Sequence, residues 1–358
     1  MNIEEYLEKQ IQKADREKSI KLYLAGIIIE VLSNSNGIID GLRDYFCVFI
    51  ASGGENADIT IHAIEDKPQK LNLDYTLKKR PPGKKPKEEF IDTDGIRVVR
   101  KIRTDMLILF DKNRNLIIGP ASKNLNQVVN FINNRFIERK INEGHILLHA
   151  AANFNGSNSI AICGFSGMGK STLALHLMSR GAGFISNDRL LLKKTGKAHP
   201  IYGVPKFPRI NPGTIVHNED LHDILDDEDI EAFLEMPKSK LWDHEEKYDA
   251  FIDKIFGKGK FQLEADCDAL VILNWHISKG KTKISKVVLE EREALFPAFM
   301  KNPGLFFMSK TSQMPDFSKE RYLRYLEGMD IFEITGSIDF DKAADYFWQY
   351  LNFLDEND

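Results

Sequence analysis

Nine consecutive residues, Gly164, Phe165, Ser166, Gly167, Met168, Gly169, Lys170, Ser171 and Thr172, have the types and spacing that chemistry on a polyphosphate requires. Gly164, Gly169, Lys170 and Ser171 occupy the fixed places of the pattern G-x-x-x-x-G-K-[ST]. Glycines at 164, 167 and 169 open backbone angles closed to other residues, so consecutive N–H groups can converge on phosphate oxygens. Lys170 supplies a mobile point charge for the β- and γ-phosphates, and Ser171 a hydroxyl for Mg²⁺. The pattern acquires meaning from its surroundings. An apolar run from Ser159 to Cys163 precedes it, and a helical pattern from Thr172 to about Arg180 follows, which adds the positive end of a helix dipole.

A second acidic group is needed for the metal. The most apolar later strand, ALVILNW, ends in Asn274 and Trp275 with no carboxylate. Asp188 is the alternative, carried on a returning strand, although an Asp there can also simply cap a turn. His149 ends the apolar run HILL one strand before the loop. An antiparallel neighbour strand would bring it over the cradle, to contact phosphate or take a proton. The plainer reading of such a histidine is structural, as it is for His145 and His176. Arg209, in VPKFPRIN, sits in a proline-stiffened loop suited to clamping an anionic group, with Lys206 a weaker companion. A plain surface loop is the competing reading.

The 358 residues exceed one ordinary domain, and two are expected. With 42% hydrophobic and 28% charged residues the composition is that of a soluble globular chain. A net charge of −4 makes no case for nucleic acid or an anionic membrane. Cys47, Cys163 and Cys267 show no metal spacing and suit a reducing cytoplasm. The charged start lacks a signal core, and no apolar run reaches the roughly 18 residues of a membrane span. In chain order the pattern predicts a short polar helix over 2–15, a strand over Lys21–Val31 and a helix over Ile38–Phe46. A strand over Ala57–Ile64 follows, with His62 on its solvent side. The basic segment Lys78–Glu89 reads as a solvated loop tip between strands, the competing reading being an arm for nucleic acid or an acidic partner. A β-meander from Phe90 to Pro120 leads to an amphipathic helix over Asn124–Lys140. Pro200–Thr214 reads as loop, Asn218–Asp253 as an acidic flap helical in pieces, Asp268–Trp275 as a buried strand, and Leu289–Lys301 as a helix. A helix over Ser318–Glu327, a strand over Asp330–Thr335 and a helix over Asp339–Leu351 close the chain. The expected fold class is α/β (α+β): a strand-rich α+β domain over 1–140, then a P-loop α/β domain over 141–358.

At these residues the chain resembles the HPr kinase/phosphorylase family, in its HPr-kinase-related branch. The resemblance covers about residues 140–215. It rests on His149 in LLHAAAN, the loop GFSGMGKS, the helix ALHLMSRG (Ala174 to Gly181), and Asn187-Asp188 before Arg189. It implies a C-terminal kinase core similar to HPr kinase and phosphoenolpyruvate carboxykinase, with transfer of the γ-phosphoryl of ATP to a seryl hydroxyl. It implies that Gly164 to Thr172 bind the phosphates, that Ser171 and Asp188 hold Mg²⁺, and that His149 contacts the phosphate region. Homo-oligomers are common in the family. The parent family has two aspartates where this chain has Asn187 and Asp188, and the first is its proposed base. Asn187 cannot accept a proton, so the reverse phosphorylase reaction is expected to be absent. The expected function is an ATP-dependent kinase acting on a serine-like hydroxyl of a protein, peptide or small molecule. A nucleotide-binding regulatory or scaffold module is the alternative. The guanine reader N-K-x-D is absent from the chain, which counts against a GTPase.

Overall fold

In a computed structural model, the described residues are 2–79, 83, 85–237, 240–241, 244, 246–276, 280–311 and 313–355. The chain forms a mixed α/β structure with several sheets, in two compact units. One comprises Met1–Arg139 and Gly304–Gln313, the other Lys140–Pro303 and Met314–Asp358. The sequence offered no reason to set Gly304–Gln313 apart from its neighbours.

In the first unit, α1 (Ile3–Ile11) precedes a hairpin of β1 (Asp15–Leu24) and β2 (Ile27–Ser33). The expected single strand over Lys21–Val31 is therefore two. Ala25 and Gly26 both have positive φ, 47° and 79°, the backbone of a tight two-residue hairpin loop. After α2 (Asn36–Tyr45) come β3 (Ile59–Glu65), β4 (Thr76–Leu77), β5 (Glu88–Thr93), β6 (Ile96–Lys101), β7 (Met106–Phe110) and β8 (Asn115–Gly119). They form one sheet in the order β1-β2-β3-β8-β7-β6-β5-β4, with β2, β3 and β8 mutually parallel and the meander antiparallel. His62 is half-buried rather than solvent-facing, and burial lowers its proton affinity. The basic segment joins the paired β4 and β5, and its centre, 80–82 and 84, lies outside the described residues.

Helix α3 (Leu125–Asn142) carries the division between the units. Val128, Phe131, Ile132, Phe136 and Ile137 are buried, and so are the polar Asn133, Arg135 and Glu138, while Asn126, Asn130 and Asn134 are exposed or partly so. The Arg135 guanidinium lies over the Phe110 ring at 4.1 Å, pairs with Glu138 at 3.0 Å, and donates to the Phe306 carbonyl. Phe306 belongs to Gly304–Gln313, and the Met308 N–H donates to Glu138 at 2.8 Å.

The second unit is built on a six-stranded sheet. Its members are β10 (Ala150–Asn155), β11 (Asn158–Gly164), β12 (Gly183–Ser186), β18 (Ala269–Leu273), β19 (Lys283–Lys286) and β20 (Asp330–Thr335). They run in the order β12-β10-β11-β18-β20-β19, with β11, β18 and β20 parallel. Alternate residues of β11 serve opposite faces, as the period of a strand demands. Ile160 and Ile162 pack with Leu173, Ala174 and Leu177 of α4 (Lys170–Met178) and with Phe347 and Leu351 of α9 (Phe340–Asp355). Ala161 and Cys163 face a second sheet, β17-β14-β13-β9. It is made of β9 (Ile146–Leu148), β13 (Leu190–Leu192), β14 (Pro200–Gly203) and β17 (Glu264–Asp266).

Pro200–Thr214 is not all loop. Pro200 starts β14, where its missing N–H costs least. Gly203 passes so near β12 that a Cβ there would lie 2.0 Å from the Ile185 carbonyl oxygen. Arg209–Ile210 is strand β15, paired with β16 (Tyr248–Asp249), and Pro212–Ile215 is the helical turn α5. The acidic stretch holds α6 (Asp227–Glu235) and α7 (Ile252–Ile255), while 238–239, 242–243 and 245 lie outside the described residues. Leu289–Lys301 is not one helix but two short 3₁₀ turns, broken at Arg292 and carrying Pro297. Ser318 caps α8 (Lys319–Leu326) by accepting from the Arg321 N–H. Among the described residues no helix is long and apolar enough to cross a membrane.

Candidate active site

Two of the direct crossings between the six-stranded and the four-stranded sheet lie at adjacent places. His149 is the link from β9 to β10, and Asn187-Asp188-Arg189 is the link from β12 to β13. Antiparallel pairing of β10 with β11 sets Ala150 opposite Cys163, so His149 stands beside Gly164, where the phosphate-loop pattern begins. Pairing of β13 with β9 sets Leu190 opposite Leu148, which draws Asp188 to the same end. His149 Nε2 and Asp188 Oδ1 are 3.0 Å apart. Arg189 Nε lies 3.7 Å from Asp188 Oδ2.

Burial works against the Asp188 charge. The hydrogen bond from His149 and the charges of Lys301 and Arg189 overcome it and hold the carboxyl well below the usual carboxylate range.

The loop itself is short and tethered. The Met168 N–H donates to the Phe165 carbonyl at 3.2 Å, and Trp275 Nε1 donates to the Met168 carbonyl at 3.0 Å. Trp275 is fully buried and meets the Phe340 ring edge-on, centroids 5.0 Å apart. Gly169 caps α4 in the left-handed conformation at φ 84° and has no side chain to cap the first turn. The first-turn N–H groups of Lys170, Ser171 and Thr172 therefore have no partner within the helix. Fully buried Asn153 fixes α4 to the sheet, its amide donating to the Ala174 and Gly183 carbonyls at 3.1 and 3.0 Å.

Lys170 is 9% exposed, and its Nζ donates to the Gly164 carbonyl at 2.9 Å. Burial lowers its proton affinity, and Lys301 adds to the effect. Ser166 and Gly167 are exposed, and Phe165 and Ser171 are partly so. Thr172 Oγ1 lies 3.0 Å from Thr214 Oγ1.

Arg209 stands apart. It is exposed on β15, with Nε 3.2 Å from Asp249 Oδ1 and Nη2 donating to the Lys247 carbonyl at 3.3 Å. Burial lowers the proton affinity of Lys206, against the raising effect of the Asp188 charge. His145 and His176 have structural settings. His145 Nδ1 is 2.7 Å from the Lys140 carbonyl, and burial lowers that imidazole to about 4. His176 stacks on Phe340 and lies 3.2 Å from Asp341.

Sequence reasoning missed Lys301, Trp275 and Phe340, each more than 100 residues from the loop and without motif. It also missed Glu333, a carboxylate on β20 only 4% exposed, which Asn274 and Arg292 bind at 2.8 and 2.5 Å.

The donor set suits a magnesium–nucleotide. Uncapped helix N–H groups and Lys170 suit phosphate oxygens. The Asn187 side-chain oxygen is buried without a hydrogen-bond partner among the described residues, next to the Asp188 carboxylate. No group of three or more His, Cys, Asp or Glu gathers for a metal among the described residues.

No family model matches the chain, and no curated protein matches it. Among solved structures it is similar to the HPr(Ser) kinase/phosphatase from Coxiella burnetii, at 12% identity and a TM-score of 0.31, over 59% of this chain and 99% of that one.

Proposed function

We propose that this protein is an ATP-dependent phosphotransferase that moves the γ-phosphoryl group to a serine-like hydroxyl on a protein, peptide or small molecule. In this reading its second unit is a kinase core of the HPr-kinase and phosphoenolpyruvate-carboxykinase type. The observation that carries the reading is the His149–Asp188 pair, 3.0 Å apart, held beside the first glycine of the phosphate loop. A structural phosphate loop has no use for a half-buried carboxylate kept ionised by its neighbours at that place.

The loop amides from Gly164 to Thr172 and Lys170 bind the phosphates and hold them for in-line attack. Mg²⁺, held by Ser171 and Asp188, would neutralise charge on the β- and γ-oxygens. Asp188 accepts from His149, and the pair is held beside the first glycine of the loop. Asn187 offers no base, so the acceptor proton leaves late, in a loose transition state that needs little base help. Asn187 also favours a second reading, a nucleotide-binding regulatory module with impaired transfer.

The two separate on incubation with γ-labelled ATP and a lysate of the protein's own cell. Label moves to an acceptor with the intact chain, and Lys170→Ala or Asp188→Ala lowers transfer by roughly two orders of magnitude, about 3 kcal/mol in the barrier. Nucleotide binding without any transfer of label would sink the kinase and leave the binding module.

A further inference from the structure

A pocket of about 480 Å³ in the second unit is lined by Lys194, Gly196, Asp316, Arg321, Arg324 and Tyr325. Lys194 and Gly196 come from the turn between β13 and β14, which Thr195 and Ala198 close by pairing with each other. Arg321, Arg324 and Tyr325 lie on α8 at spacings of three and four, and so share one of its faces. Pairing of β9 with β13 sets Ile146 opposite Leu192 at this end, and Leu148 opposite Leu190 at the other, where His149 and Asp188 stand. The pocket is therefore a separate place from the phosphate loop, and its ligand is independent of what the loop binds.

Arg321 is fixed from two sides. Its Nη2 donates to the Gly144 carbonyl at 2.9 Å and its Nη1 to the Asp316 carbonyl at 3.0 Å. The Tyr325 hydroxyl donates to the same Gly144 carbonyl at 2.5 Å, and the Arg321 guanidinium lies over the Tyr325 ring at 5.3 Å. All these partners are neutral. Among the described residues Arg321 forms no ion pair, so its charge is held in place and left uncompensated. The carboxylate of the lining is already engaged, because Asp316 accepts from the Ser318 N–H at 2.8 Å and from the Ser318 hydroxyl at 3.0 Å. Arg324 reaches it only at 3.8 Å. Lys194 pairs with Glu327 at 2.6 Å, but that carboxylate is 76% exposed, and such a surface pair contributes little.

Three cations against one carboxylate favour a dianion. Guanidinium forks suit the oxygens of a phosphate group. Apart from the Tyr325 ring, which Arg321 overlies, the lining has no apolar side chain, so a nucleobase or an acyl chain finds no wall to pack on. We propose that this pocket binds phosphate, free or as the head of a small polar phosphomonoester.

The test is calorimetry with inorganic phosphate and with glycerol phosphate, on the full chain carrying Lys170→Ala to weaken any phosphate held at the loop. Arg324→Gln or Lys194→Gln is then added. Each weakens phosphate binding by roughly tenfold. The Arg324 side chain is 72% exposed, so its loss leaves the unfolding midpoint unchanged and separates lost binding from lost fold. Tighter binding of glycerol phosphate supports a monoester as ligand, and tighter binding of inorganic phosphate supports the free ion. No phosphate binding to the Lys170→Ala chain, binding that survives both added substitutions, or malonate binding as tightly as phosphate overturns the proposal. Every titration is made without nucleotide, so the kinase reading stands or falls by its own experiment.

Discussion

The Asn187-Asp188 pair concentrates the chemistry of this site. Asp188 is ionised against the cost of burial because His149, Lys301 and Arg189 stand around it. Asn187 beside it has a buried oxygen without a hydrogen-bond partner among the described residues, and no proton-accepting power at neutral pH. Asn187→Asp would place a second carboxylate next to the first. Like charges at that range raise one of the two toward the pH where a base works. The expected outcome is a rise of roughly ten- to a hundredfold in transfer, or the appearance of a reverse reaction releasing phosphate from product. Both are read from label transfer and release. No change in either direction would put the base elsewhere.

Elements decide where these residues meet. His149 and Asp188 lie on two short links, each joining a strand of the six-stranded sheet to a strand of the four-stranded one. The first link makes no break in the apolar run HILLHAAANF, whereas the second shows as the polar Asn187-Asp188-Arg189 between GFIS and LLL. The crossings exist because both sheets bury their facing sides against each other, with Ala161, Cys163 and Ile272 on one side and Leu148, Leu190 and Ile201 on the other. The loop is held from beyond the motif too. A Cβ on Gly169 would lie 2.4 Å from Phe340 Cζ, and the residue is left-handed already. Gly169→Ala is expected to destabilise the protein by roughly 2 kcal/mol or more, through crowding and backbone strain together. Adding Phe340→Leu removes the crowding but not the strain, so the double variant recovers part of the loss in denaturant unfolding. An exposed-loop glycine would tolerate alanine in both backgrounds, and such a result would refute the packing argument.

At the scale of the whole chain, the first unit is not the contiguous piece its boundary suggests. Residues 304–313 return to it after some 160 residues of the second unit. Phe306 stacks on Phe110 with centroids 6.0 Å apart, and its carbonyl accepts from the buried Arg135 guanidinium. Arg97 donates to the Leu305 and Phe307 carbonyls at 2.8 and 2.9 Å. A fragment of residues 1–142 loses these partners and leaves a buried guanidinium short of acceptors, a loss of roughly 3 kcal/mol or more. It should unfold at lower denaturant, and less cooperatively, than the same fragment joined by a flexible linker to residues 304–313. Equal midpoints for the two would show the returning segment to be dispensable.

The sequence marks the glycine-rich loop, its flanking strand and helix, the meander from Phe90 to Pro120 and the buried strand before Trp275. These are local patterns: a fixed spacing around glycines, a period of two, a period of 3.6. It also singled out His149 and Asp188, whose places follow from strands near the loop in sequence. The tertiary arrangement brings the two into contact and pairs Arg209 with Asp249 instead of with them. It also turned one predicted helix into two 3₁₀ turns and one predicted strand into a hairpin. Such outcomes depend on strand register and on which faces two sheets bury, and neither is written in any short stretch of residues.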